Sequence, residues 1–210
     1  MKLIVAAFRT LANRPRLRLL HAIHAQPGIT VHALAAAVGQ PLYTTSHHLK
    51  LLSEYRFIHT QPSGRHVQCQ PVQTPTAGNR FLSSLQAWVQ DLFAPGDLDR
   101  TVGQVCEPGT TPSWEAVFEA LVKLCTTYTH LRRLLILREV ARRGACSSAK
   151  LMEAVGMSAD ATRRQVAKLC RRGLLAADET APDRWQLTPP AGPDARRQLW
   201  SLVRLELLNE

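Results

Sequence analysis

The sequence predicts a mainly α-helical chain with small β-hairpin wings, and three observations carry that reading. The first is a tight turn between two helices. An alanine-rich run, Leu34 to Val38, ends at Gly39, and Thr45, Leu49 and Leu52 then recur at i, i+4 and i+7, one inward face of a helix. The second is a strand–turn–strand pattern immediately downstream, Phe57 to Gln61 and His66 to Gln70, joined by Pro62-Ser63-Gly64-Arg65. The third is that the arrangement occurs twice. A shift of 117 residues lays Arg16-Leu17 on Arg133-Leu134, Leu34 on Leu151, Ala37-Val38-Gly39 on Ala154-Val155-Gly156, and Leu52 on Leu169, with no gap. One extra residue past the hairpin turn then places Pro71 on Pro189 and Phe81 on Leu199. A match of that length is an internal duplication of a whole domain. The fold class is therefore tandem winged helix-turn-helix domains: residues 1–93, a linker at 94–112, and residues 113–210.

The elements follow in order. Lys2 to Ala12 is a first helix, and Pro15 to Ala25 a second, because proline at a helix start gives up an N–H that had no partner anyway. Gln26-Pro27-Gly28 breaks the chain. Thr30 to Val38 is a third helix, Leu42 to Tyr55 the one presented outward, and Phe57 to Gln70 the hairpin. Thr76 to Phe93 closes the domain, with Phe81, Leu85, Trp88 and Leu92 on one stripe. Pro, Gly and Thr crowd the linker up to Pro112. Ser113 then caps a helix reaching Tyr128, and His130 to Arg143, Ser147 to Val155 and Ser158 to Arg172 repeat the three-helix core. Ser158 can cap its helix where Pro41 cannot. Leu174 to Thr188 is the second hairpin and Asp194 to Leu208 the second closing helix.

Charge narrows the function. The chain of 210 residues holds 26 Lys and Arg against 16 Asp and Glu, a net charge of +10, which points to nucleic acid or another anionic surface. The balance is uneven: residues 1–93 hold nine basic and two acidic side chains, or +7, and residues 94–210 hold seventeen and fourteen, or +3. Five scattered cysteines without a Cys-x-x-Cys pair fit reduced thiols in a cytoplasmic protein. The N-terminal apolar run stops at Arg9, too short for a signal peptide, and no run is long enough to span a bilayer.

The run Phe8-Arg9-Thr10-Leu11-Ala12-Asn13-Arg14-Pro15-Arg16-Leu17-Arg18-Leu19-Leu20, the core Ser46-His47-His48-Leu49-Lys50-Leu51-Leu52 and the turn Ser63-Gly64-Arg65 together resemble the ArsR family of bacterial and archaeal transcriptional regulators. The likeness covers residues 1–93. It implies a winged helix whose second helix enters the major groove of double-stranded DNA, with repression by promoter occlusion. Base-edge contacts would fall at Leu42, Tyr43, Thr44, Ser46 and His47. Hydroxyls and imidazole can hydrogen-bond bases, while Leu and Tyr can touch thymine methyls. Lys50, Arg65 and His66 suit phosphates. Leu42 stands where the family often has glutamine, so base preference does not carry over.

The second copy presents Ala159, Asp160, Arg163, Arg164 and Lys168, then Arg171-Arg172. Arg163, Arg164 and Lys168 are its candidate DNA contacts, mostly as phosphate clamps. Its hairpin turn carries Asp178, Glu179 and Asp183 against Arg184, which suits phosphates badly. That acidic wing supports the rival reading, a tandem winged-helix subunit that binds proteins without reading bases.

Other chemistries are weaker. Some ArsR relatives hold a metal with a Cys-x-Cys pair in the third helix; Thr30-Val31-His32 stands there, and the closing helices lack His and Cys. His21 and His24, at i and i+3, read as a solvated face, and no metal or cofactor is expected. Cys125, Cys146 and Cys170 read as core, leaving Cys106 in the linker as the exposed thiol that could sense oxidants. No glycine-rich phosphate loop, His-Glu-x-x-His or Gly-x-Ser-x-Gly is present, and no enzyme is expected. Family members dimerise through their first and last helices. The resemblance thus implies an intramolecular pseudo-dimer, or a homodimer, through Lys2–Ala12, Thr76–Phe93, Ser113–Tyr128 and Asp194–Leu208.

Overall fold

A computed structural model of the chain describes residues 1–73, 78–96, 98–178 and 181–209, apart from the side chain of Pro182. Contacts divide it into two compact units, Arg9–Lys123 and Met1–Phe8 with Leu124–Glu210.

The Arg9–Lys123 unit begins in the last turn of α1 (Lys2–Leu11) and continues through α2 (Arg14–Ala25), β1 (Ile29–Thr30), α3 (Val31–Ala37) and α4 (Leu42–Glu54). The hairpin β2 (Ile58–Ser63) and β3 (His66–Pro71) follows, then α5 (Arg80–Phe93), α6 (Leu98–Val105) and most of α7 (Trp114–Thr126). Local chemistry sets the boundaries. The side chains of Asn13, Thr30 and Asn79 each accept a backbone N–H from Arg16, Ala33 and Leu82, capping α2, α3 and α5. Each such cap contributes about 1 kcal/mol. Pro41 precedes α4 and makes no side-chain cap. Gly39 takes a left-handed φ of +63°, the conformation that reverses the chain between α3 and α4. The core is Leu17, Leu20 and Ile23 of α2, Leu34 of α3, Leu49 and Leu52 of α4, and the Phe81–Leu85–Val89–Leu92 stripe of α5.

The hairpin gains a strand that the sequence reading assigns to a loop and a helix start. Residues Ile29 and Thr30 pair antiparallel with Cys69 and Gln68, giving a sheet of order β1-β3-β2. Two residues are too few for a period-2 pattern to register.

The other unit, Met1–Phe8 with Leu124–Glu210, has the same plan. It runs α8 (Leu131–Arg143), β4 (Ala145–Ser147), α9 (Ser148–Val155), α10 (Ala159–Arg171), β5 (Leu175–Asp178), β6 (Ala181–Leu187) and α11 (Asp194–Asn209). Its sheet order is β4-β6-β5. Bounds 117 residues apart recur: α3 and α9 start at Val31 and Ser148, and α4 and α10 run Leu42–Glu54 and Ala159–Arg171. Ser147 and Ser158 cap α9 and α10, and Gly156 takes a φ of +61° where Gly39 does. The N-terminal residues of α1 belong to this unit: the Phe8 ring lies 4.9 Å from that of Tyr128, which is fully buried. Mainly helical, with two small antiparallel sheets, the chain has the tandem winged-helix class.

Several expectations need correction. The stretch 94–112 is not a plain linker, since it contains α6, whose Thr101, Val102 and Val105 are buried. Burial of those three side chains holds a short helix in place although the local signal is dominated by the flanking Pro and Gly. Cys106, expected to be exposed, is buried at the end of that helix; burial and Glu107 raise its thiol pKa. Cys125 and Cys146 are buried as expected, Cys170 only half so. His24 is buried and His21 half-buried, against the expectation of a solvated face. Thr76, where the closing helix is expected to start, and Glu179 in the second hairpin turn lie outside the described residues. Among the described residues no helix is long and apolar enough to cross a membrane.

Candidate nucleic-acid interface

Helix α4 divides its residues cleanly. Thr45, Leu49 and Leu52 are buried, at 0%, 4% and 0% exposure, while Tyr43 is 85% and Leu42 41% exposed. Ser46, His47 and Lys50 are also exposed, and Thr44 is half-buried. Holding the helix from behind are α2, α3 and β2. One side chain departs from the outward set: His48 is half-buried, its Nδ1 buried without a hydrogen-bond partner among the described residues. Desolvation, then the charges of Arg16 and His47, lower its pKa.

The hairpin stands beside this helix in the chain and is equally open. Ser63 pairs with His66, so Gly64-Arg65 is a two-residue turn, and Gly64 supplies the required positive φ of +60°. Arg65, His66 and Val67 are exposed. On α3, His32 is exposed too, and its ring centroid lies 6.3 Å from that of His66, edge to face. Sequence reasoning weighed His32 only as a metal ligand; the missing signal was the β1–β3 pairing that brings it to the wing.

Several basic residues of the same unit are engaged elsewhere. Arg18 makes a bidentate pair with Glu115, both hydrogen bonds at 2.9 Å, and Arg14 lies 3.6 Å from Glu119. Arg16 donates to the carbonyls of Arg9 and Thr10 at the end of α1. These join α2 to its neighbours rather than to a ligand. Around them lies an aromatic cluster: the His21 ring sits 3.9 Å from that of Trp114, with Phe93 stacked near Trp114 and Phe118 beyond. His24 lies 5.8 Å from Phe93; desolvation, with a contribution from His21, lowers its pKa to about 4.

In the other unit, α10 buries Thr162, Val166 and Leu169 and exposes Arg163, Arg164 and Lys168. Arg163 is not presented alone, however: its guanidinium lies 3.1 Å from the Asp160 carboxylate one turn earlier. Arg172 turns inward and donates to Thr127 Oγ1 at 3.1 Å. A hollow of about 240 Å³ lies between α9, α10 and β6, lined by Met152, Val166 and Trp185 with Arg163 and Asp183 among its walls. The Trp185 indole donates to Ser148 Oγ at 3.0 Å, which fixes the ring there. The presented helix of this head thus carries an acid, Asp160, and a second, Asp183, lines the hollow beside it.

Comparison with known proteins agrees with the two-headed plan. Residues 11–61 match a family described as a helix-turn-helix domain, and residues 130–176 match one described as a winged helix-turn-helix DNA-binding domain. The chain therefore carries two helix-turn-helix domains, one near each end. No curated protein sequence matches it. Among solved structures it is similar to ScpB from Mycobacterium tuberculosis at 19% identity, over 82% of this chain and 89% of that one. The TM-score of that superposition is 0.22.

Proposed function

We propose that this protein is a sequence-specific double-stranded DNA-binding transcriptional regulator, read chiefly by its first head. In this reading α4 enters the major groove. Leu42, Tyr43, Thr44, Ser46 and His47 meet base edges, and Lys50 with Arg65 and His66 holds phosphates. The observation that carries it is the division of α4: its apolar side is closed against the core while Tyr43, Ser46, His47 and Lys50 stand open. Across α4 and the hairpin, Leu42 to Pro71, the one acid is Glu54 at the C-terminal end of the helix, so little repels a phosphate there. Repression by promoter occlusion is the mode proposed, on the resemblance to the ArsR family. Two matched heads 117 residues apart are taken as a duplication, and the chain as its own pseudo-dimer reading two unequal half-sites.

The test is selection of bound sequences from random duplex, followed by salt titration. Changing Lys50 or Arg65 to Ala weakens binding to every duplex about equally and lowers the salt slope by about one each. His47→Ala changes the preferred sequence instead. Unchanged affinity and slope in Lys50→Ala and Arg65→Ala would defeat the docking. A sedimentation mass of two chains would replace the pseudo-dimer with a homodimer.

A second reading applies to the other head. The Asp160–Arg163 pair and the exposed Asp183 favour protein contact over phosphate contact at α10. Removing Arg164 and Lys168 with no loss of duplex affinity would assign that head to a protein partner, and no catalysis is proposed for either.

A further inference from the structure

We propose that His32 and His66 together grip one DNA phosphate, so that duplex binding by the first head takes up protons at this pair. The inference rests on the DNA-binding reading above and adds to it a residue, His32, and a chemical condition. Strand pairing sets the juxtaposition. Thr30 is paired with Gln68, and His32 and His66 each lie two residues from that pair, one entering α3 and the other nearing the hairpin turn. The rings end 6.3 Å apart at an interplanar angle of 82°. Both are exposed, as is Arg65 beside them.

Two imidazoles at that spacing can each donate to a different oxygen of one phosphate, since a charge-assisted N–H···O contact needs only about 2.8 Å. A neutral imidazole already offers one N–H, but adding a proton to each ring makes its contact charge-assisted, and the phosphate anion offsets the repulsion between the two imidazoliums. Histidine is the side chain whose charge changes in the physiological pH range.

The surrounding charges permit it. Packed against α3 and β3 are α2, α4, β1 and β2. Their titratable groups are Arg14, Arg16, Arg18, His21 and His24 on α2, Tyr43, His47, His48, Lys50 and Glu54 on α4, and His59 on β2. Glu54 is the one acid in that set, and it closes α4 at its C-terminal end. In this proposal a DNA phosphate supplies the counter-charge to the pair.

The experiment is a fluorescence-anisotropy titration of a random-sequence duplex of about 30 base pairs with the full chain, at constant ionic strength, between about pH 8 and about pH 6. The wild type tightens by about tenfold on acidification. His32→Gln and His66→Gln each remove most of that gain. The double variant loses no more than either single one, because both rings serve one phosphate. His47→Gln keeps the gain. A double variant that binds DNA with the wild-type pH slope overturns this inference and leaves the DNA-binding reading intact. Absence of duplex binding at every pH overturns both.

Discussion

Thr45 shows how a single position can serve geometry more than energy. Its side chain is fully buried and its hydroxyl has no hydrogen-bond partner among the described residues; Thr162, 117 residues later, repeats both features. An unpaired buried hydroxyl costs about 1–3 kcal/mol, whereas a methyl of the same shape does not. Thr45→Val is therefore expected to raise the stability of the Arg9–Lys123 unit by about 1 kcal/mol in urea unfolding, with duplex affinity unchanged. His24 acts in the opposite sense. Burial lowers its folded pKa to about 4, below an unfolded value of about 6.5. The stability this represents is fully present above the unfolded pKa and is lost as pH falls from there towards the folded one. Between about pH 7 and about pH 5 the loss amounts to about 2 kcal/mol. Urea midpoints at the two pH values should show it, and His24→Phe should flatten the dependence. A pH-independent midpoint in the wild type would contradict the buried, neutral assignment.

Among elements, legibility tracked the length of the periodic signal. Of the helices of a dozen residues or more, α2, α4, α7, α8, α10 and α11 begin and end within two residues of where caps and turns place them, while α5 starts at Arg80, four residues past the expected Thr76. Their apolar stripes are long, and Ser158 or Gly39 marks the boundary in chemistry that depends on near neighbours alone. The short strands β1 and β4 were hidden, because pairing with β3 and β6 is decided across some forty residues of chain. Helix α6 was hidden by its setting among Pro and Gly. The outward face of α4 was legible for the same reason as its core face: one periodicity fixes both. Exposure there matched the expectation at Leu42, Tyr43, Ser46, His47 and Lys50, while Thr44 is half-buried. The neighbouring His48 shows the limit, since no spacing rule reports that Arg16 lies near it.

At the scale of the whole molecule, the units do not follow the boundaries expected from the sequence. Helix α7 lies within residues 113–210, expected as the second domain, yet its residues to Lys123 belong with the first head, and the first residues of α1 belong with the second. Trp114 and Phe118 complete the aromatic cluster around His21 and Phe93, and Glu115 meets Arg18. A fragment of residues 1–93 lacks all of these, whereas one of residues 9–123 keeps them. The longer fragment is expected to unfold in one cooperative urea transition. The shorter should be less stable by about 3–5 kcal/mol, the scale of deleting large aromatic side chains from a core. Equal midpoints would mean that α7 contributes little to the first head.

By itself the sequence determined the long helices, the two hairpins, the spacing of 117 residues between the two heads, and the open side of α4 and most of that of α10. All of these are written in spacing, capping and turn chemistry, which act between residues close along the chain. Only the tertiary structure decided which head the flanking helices complete, that His24 and Cys106 are shut away, that Asp160 holds Arg163, and that His32 meets His66. Most of these depend on burial and on contacts between distant segments, and such contacts leave no period in the chain for a reader to find.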